Sequence, residues 1–102
     1  MTPPARQTRW SARVDRDDWD SLRDAADARG IRVDDLIIDA LEHISPTDLG
    51  PCAAADLVFV RSTLPDPARV KIRELAYFTR VRVADVIHTL ACRVQSETYA
   101  RV

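Results

Sequence analysis

Slid by 50 positions, the chain aligns with itself without a gap. Gly30-Ile31-Arg32-Val33-Asp34-Asp35-Leu36-Ile37 falls on Arg80-Val81-Arg82-Val83-Ala84-Asp85-Val86-Ile87. Upstream, Leu22-Arg23-Asp24-Ala25-Ala26 falls on Ile72-Arg73-Glu74-Leu75-Ala76, and Val14 falls on Leu64. Few residues are identical, but apolar positions meet apolar positions throughout. Such a repeat constrains the fold more than any single motif. One unit of about 40 residues cannot bury a sufficient core alone, so each copy needs the other to complete it.

Each half reads as strand, helix, helix. The last helix of each copy gives the clearest signal. Val33, Leu36, Ile37, Ala40, Leu41 and Ile44 recur at helical spacing in the first copy, as do Val83, Val86, Ile87, Leu90, Ala91 and Val94 in the second. Both are amphipathic helices with one wide apolar stripe. The preceding helix is shorter, with a stripe of Leu22, Ala25 and Ala26 in one copy and Ile72, Leu75 and Ala76 in the other. Asp15 is placed to cap the first, with Asp17 and Asp18 in its opening turn. Pro65 and Pro67 suit the start of the second, where a missing N–H does little harm. Gly30 fits the left-handed position that ends the first helix. Arg80 replaces it in the second copy, which predicts a strained or differently shaped turn there.

Ahead of each helix pair lies a run of period two. Trp10, Ala12 and Val14 alternate with Arg9, Ser11 and Arg13; Val58, Val60, Ser62 and Leu64 alternate with Phe59, Arg61 and Thr63. Each is a strand with one apolar and one mostly polar face. Ser45 to Asp56, with two Pro and one Gly, reads as a linker. At about 3.3 Å per residue it spans roughly 40 Å, enough to bring the second strand beside the first. A lone strand is an open edge with unpaired backbone groups. Pairing the copies removes that edge and completes the core. The expected fold is mainly α, with a short two-stranded antiparallel ribbon over four helices. Pairing within one chain and pairing between two chains, as a domain-swapped dimer with two ribbons, both satisfy this. Residues 1–7 read as a flexible basic arm, 8–44 as the first copy, 45–56 as the linker, 57–97 as the second copy and 98–102 as a tail.

Charge divides the copies more sharply than the net value of −1 suggests. Residues 1–13 carry three Arg and no acid, residues 14–50 four Arg against eleven acids, and residues 51–102 eight basic side chains against five acids. Basic character therefore sits at the start of the chain and in the second half. Fourteen of the fifteen basic residues are Arg, with Lys71 alone. No apolar run reaches the roughly 18 residues of a membrane span, and residues 1–9 lack the apolar segment of a signal peptide. The two cysteines, Cys52 and Cys92, form neither a disulfide framework nor a metal knuckle. A cytoplasmic location is the expectation.

The order strand, helix, Gly-bearing turn, amphipathic helix resembles the ribbon-helix-helix (Arc/MetJ/CopG-like) family of DNA-binding proteins. Gly30-Ile31-Arg32-Val33-Asp34-Asp35-Leu36-Ile37 is similar to the family's stretch between its helices, and Arg9 to Ile44 matches the Arc-type repressors in length and register. The family works as a dimer of single-copy chains. This chain looks like a fused pair forming an intramolecular pseudo-dimer, as in the tandem-repeat accessory proteins of F-type plasmid relaxosomes.

The resemblance implies that the ribbon enters the major groove of double-stranded DNA. Base contact then falls to the side chains pointing away from the helices: Arg9, Ser11 and Arg13, and Phe59, Arg61 and Thr63. Arg can bridge guanine O6 and N7, Ser and Thr can bond either base edge, and Phe can meet a thymine methyl. The family's second contact is a phosphate held at the start of each second helix. Here that role passes to Val33 in the first copy and to Val83 and Ala84 in the second, with Arg32 and Arg82 reaching the backbone and Arg6 contributing from the arm. The small hydroxyl or amide residues usual at this point are absent. Asp34 and Asp35 suit the helix dipole and oppose an anion, so the second copy offers the better phosphate site.

The implied function is sequence-specific DNA binding, as a transcriptional repressor or a plasmid or phage maintenance factor, with chains self-associating on adjacent half-sites. The alternative is an antitoxin- or adaptor-like module that keeps the fold, has lost DNA binding and offers its acidic first copy to a protein partner. Nothing marks an enzyme, a cofactor or a metal. His43 and His88 lack a nearby set of ligands at metal spacing and read as surface or half-buried helix residues. Cys92 reads as a half-buried thiol with no group to orient a Cys–His pair. Asp15, Asp17, Asp18 and Asp20 lack the spacing of a calcium loop, and capping explains them. Trp10 is expected in the core, and Trp19 partly exposed on its helix, packing on the partner copy.

Overall fold

A computed structural model describes residues 10–51 and 56–100. Its elements are β1 (Trp10–Asp15), α1 (Arg16–Arg29), α2 (Val33–Leu41), β2 (Leu57–Ser62), α3 (Asp66–Thr79) and α4 (Val83–Ala100), with a short 3-10 turn at Pro46–Asp48 inside the expected linker. The chain is mainly helical, with one two-stranded antiparallel sheet and four α-helices. The expected contacts Arg6 and Arg9, and Cys52, lie outside the described residues.

β1 pairs with β2 of the same chain, setting Trp10 opposite Ser62, Ser11 opposite Arg61, Ala12 opposite Val60, Arg13 opposite Phe59 and Val14 opposite Val58. The period of two becomes two faces: Trp10, Val14 and Val60 are buried, while Ser11, Arg13, Phe59 and Arg61 are exposed. β2 starts one residue before the expected run and stops short of Thr63 and Leu64. Ser62 already pairs with Trp10, the first residue of β1. Beyond it Thr63 turns its hydroxyl onto Asp34.

Capping explains the helix limits. The Asp15 carboxylate accepts from the backbone N–H of Asp17 (3.0 Å) and Asp18 (3.4 Å), satisfying two amides that have no partner within α1. Gly30 ends α1 at φ 68°, and Arg80 ends α3 at φ 56°. The second turn therefore keeps the shape of the first, and its cost is carried by a side-chain-bearing residue in the left-handed region. The same backbone bond closes both: Ile31 N–H to Ala26 C=O and Val81 N–H to Ala76 C=O, each 3.0 Å.

α2 stops at Leu41, although its apolar stripe runs on to Ile44. Pro46 forces extended backbone on Ser45, at ψ 161°. The N–H groups of Glu42 and His43 tighten onto Asp39 and Ala40. The Lys71 ammonium donates to the Leu41 carbonyl, which places the sequence's lone Lys at the negative end of α2. Ile44 is buried even so. No proline interrupts α4, which runs through Ala100 into the expected tail.

One core joins both halves: Val14, Leu22, Leu36, Ile37 and Leu41 from the first, and Leu64, Ile72, Val86, Ile87 and Leu90 from the second. α4 packs on α1, α2, α3 and β1, so neither half encloses a core of its own. Trp19 is buried at 8% exposure rather than partly exposed, on a helix that packs against α4, α2 and β1. No helix among the described residues is long and apolar enough to cross a membrane.

Candidate nucleic-acid interface

The exposed face of the ribbon carries two cross-strand rows, Ser11 with Arg61 and Arg13 with Phe59. Phe59 is 61% exposed, so β2 has not slipped by one residue to bury it. The side chains of Arg13 and Arg61 are free of ion pairs with described residues. Two guanidiniums, a hydroxyl and a ring thus stand together on a rigid two-stranded base. A ribbon of this width fits the major groove.

Thr63 is half-buried beyond the end of β2 and faces α2. Its hydroxyl donates to Asp34 Oδ2 (3.0 Å) and accepts from Arg32 Nη2 (2.9 Å). The same guanidinium nitrogen lies 2.9 Å from Asp34 Oδ2. This triangle closes one wall of a shallow depression of about 380 Å³, lined by Arg32, Val33, Asp34, Arg61, Ser62 and Thr63. The ribbon end and the start of α2 therefore share one concave surface. Asp34 is the surprise within it: the side chain is 7% exposed, and Oδ1 is buried without a hydrogen-bond partner. Asp34 is the second residue of α2, at the positive end of the helix, and its carboxylate pairs with Arg32 there.

The start of α4 is built differently. Ala84, expected to contact a phosphate, is buried at 3% exposure and has almost no surface to offer an anion. Val83 is half-buried, like Val33 in the first copy. Asp85 Oδ2 accepts from the Arg82 N–H at 2.8 Å, and Asp85 Oδ1 from Arg82 Nη2 at 3.2 Å. Arg32 and Arg82, the two side chains expected to reach a DNA backbone, are thus tethered by carboxylates, and both stay accessible, with side chains 67% exposed at Arg32 and 53% at Arg82. Tethering fixes their position and lowers the charge they offer.

A polar row between α1 and α4 escapes sequence reasoning. His88 Nδ1 lies 3.0 Å from both carboxylate oxygens of Asp18, and His88 Nε2 lies 3.5 Å from Cys92 Sγ. Gln95 Nε2 donates to Ser21 Oγ at 2.8 Å one turn further along. The spacing of His88 and Cys92 is visible in sequence, whereas Asp18 comes from the other half. Cys92 is exposed rather than half-buried. Partial burial, and then the Asp18 carboxylate, push its thiol above the ordinary cysteine range. A thiol that keeps its proton is a poor nucleophile, and the hydrogen bonds of the row join α1 to α4. Among the described residues no three His, Cys, Asp or Glu side chains converge to hold a metal ion.

No family model, curated protein or solved structure matches the chain.

Proposed function

We propose that the chain binds double-stranded DNA sequence-specifically, laying its two-stranded ribbon in the major groove. Its two strand-helix-helix copies act as an intramolecular pseudo-dimer of ribbon-helix-helix type. The observation that carries this reading is the exposed ribbon face, where Ser11, Arg13, Phe59 and Arg61 share one rigid surface. Arg13 and Arg61 suit guanine edges, Ser11 suits either base, and Phe59 suits a thymine methyl.

The register supports the pseudo-dimer. Arg61 is the cross-strand partner of Ser11 and also its equivalent 50 residues on. A residue faces its own equivalent only where a two-fold axis crosses the ribbon. Because Ser11 and Arg61 differ, the preferred site is an imperfect palindrome. A transcriptional repressor or a plasmid or phage maintenance factor would use such a site.

Selection of bound duplexes from a random pool, at low and at physiological salt, tests the proposal. A short, imperfectly symmetric site should be enriched. Arg13→Ala and Arg61→Ala should each weaken it by about 1–3 kcal/mol and relax preference at one base pair. Arg82→Ala should weaken all sequences alike and lower the salt slope. Equal losses on every sequence from Arg13→Ala would remove the base-reading role.

A second reading, a protein-interaction module, is favoured by one feature: Asp17, Asp20, Asp24 and Asp27 all lie exposed on α1. No enrichment at either salt, with capture of a basic peptide by this face, would select it.

A further inference from the structure

The outer face of α3 is unlike the rest of the helical surface. Val70 is 50% exposed, Tyr77 78% and Phe78 74%. The two rings meet edge to face, 5.6 Å apart at 80°, and line a shallow depression with Ala76 and Arg80. Val70, Arg73, Glu74 and Tyr77 follow one another at i, i+3, i+4 and i+7, forming a single exposed stripe. Among the described residues neither Arg73 nor Glu74 has an ion-pair partner.

The order along the stripe is apolar, basic, acidic, apolar. Reversed, it complements itself. We propose that this stripe is a homodimer interface, in which two copies of this chain pack α3 antiparallel against α3. A two-fold axis midway between residues 73 and 74 sets Val70 against Tyr77 of the second copy, and Arg73 against Glu74 of the second copy. Phe78 flanks the stripe and widens the apolar contact. Interfaces of this isologous kind need a patch that is complementary to itself.

α1 is the internal control. At the equivalent positions it carries Asp20, Arg23, Asp24 and Asp27, all exposed. The same axis on α1 would oppose Asp20 to Asp27, two like charges at each end of the contact. Packing α3 onto the acidic α1 face of another copy is also disfavoured. It would press Glu74 and the Tyr77 ring against carboxylates. Association therefore uses α3 alone and closes at two chains.

The four exposed rings and their neighbours bury about 1,000 Å² in total, below the standard size of a stable interface. The dimer is accordingly weak when free and is consolidated when both copies sit on one duplex. The surface itself does not depend on DNA binding. Its use, seating two ribbons on adjacent half-sites, rests on the function proposed above.

Sedimentation equilibrium of the full chain across a concentration series, without DNA, is the test. The expected result is a monomer–dimer equilibrium with no larger species. Tyr77→Asp, which installs the acid found at position 27, should raise the dissociation constant at least about tenfold. Arg73→Glu and Glu74→Arg should each weaken the dimer, and the double swap should restore it, because the charges then meet in reverse. Circular dichroism on each variant separates loss of association from loss of fold, and rescue by the double swap stands even if Tyr77→Asp unfolds. A chain monomeric at every concentration, or a swap that fails to rescue, overturns the interface. So does a Glu74→Arg variant that associates more tightly, which would mean head-to-tail docking on α1. A dimer that binds no duplex leaves the interface standing and removes the DNA reading. Tight single-site binding by a strictly monomeric chain does the reverse.

Discussion

Asp34→Ala turns the start of α2 into the start of α4, where Ala84 stands at the equivalent position. The substitution removes a buried carboxylate that holds Arg32 at 2.9 Å and the Thr63 hydroxyl at 3.0 Å. Stability should change little. An acid near the helix start is lost, worth about 0.3–1 kcal/mol, but the unpartnered Oδ1 goes with it. DNA binding should strengthen, because Arg32 regains its full charge beside the ribbon. One added phosphate contact steepens the dependence of log K on log salt by about 0.9, so the gain over wild type should shrink roughly 3.5-fold between 50 and 200 mM salt. Fluorescence anisotropy with the selected duplex at four or five salt concentrations measures both slope and affinity. Asp34→Asn is the control that keeps shape and removes charge, and it should give the same steepening. An unchanged slope would show that Arg32 does not reach a phosphate. Weaker binding at every salt, with the fold intact, would show that Asp34 holds Arg32 in its binding position and would refute the reasoning.

Gly30→Ala and Arg80→Gly should shift the urea midpoint in opposite directions, the first destabilising and the second stabilising, by about 0.5–1 kcal/mol each. No atom lies within 4 Å of a Cβ built at Gly30, so the first change reports backbone conformation alone. Asp15→Ala should destabilise by about 1 kcal/mol in the same urea titration, because it strips the cap from α1. A loss near zero would mean that water replaces the carboxylate fully. Cys92, in a Cys52→Ser background, should be alkylated more slowly than a free thiol at about pH 8.5, because its raised pKa leaves less thiolate. Asp18→Asn should speed the reaction by removing the carboxylate that disfavours the thiolate, and an unchanged rate would assign the whole shift to burial.

The parts of this fold that are legible in sequence are those governed by local rules. The 50-residue offset, the two faces of each strand, the Asp15 cap and the left-handed Gly30 all follow from period and residue type. Two contacts that local rules do not reach have a common cause: each is made by a neighbour from the other half, Thr63 for Asp34 and Asp18 for His88. A carboxylate at the second position of a helix normally points to solvent, and only tertiary contact shows that this one is buried. The end of α2 obeys two conflicting local signals: the apolar stripe continues to Ile44, whereas Pro46 precludes helix at Ser45 and the helix stops at Leu41. Of the ribbon face, Ser11, Arg13, Phe59 and Arg61 lie where alternation puts them. Thr63 does not, because alternation continues past the point where pairing stops.

The two halves have diverged in a way that separates packing from use. Within the hydrophobic core the equivalents stay apolar: Leu22 and Ile72, Leu36 and Val86, Ile37 and Ile87, Ala40 and Leu90, all buried. A shared core demands this, because a polar side chain in either half would be stranded among apolar groups of both. On the surface no such coupling acts, and there the equivalents disagree in kind. Asp27 answers to Tyr77, Asp20 to Val70 and Ser11 to Arg61. A two-chain homodimer cannot do this, since one sequence must serve both of its halves. Fusing the copies releases each exposed position to take its own role. All three disagreements fall on the surfaces proposed to meet DNA or a second chain, and Asp20 and Asp27 opposite Val70 and Tyr77 make the contrast between the acidic and the self-complementary helix. The asymmetry therefore coincides with the surfaces of the proposed contacts, which is the pattern expected if the first half has been shaped to limit contacts that the second half makes.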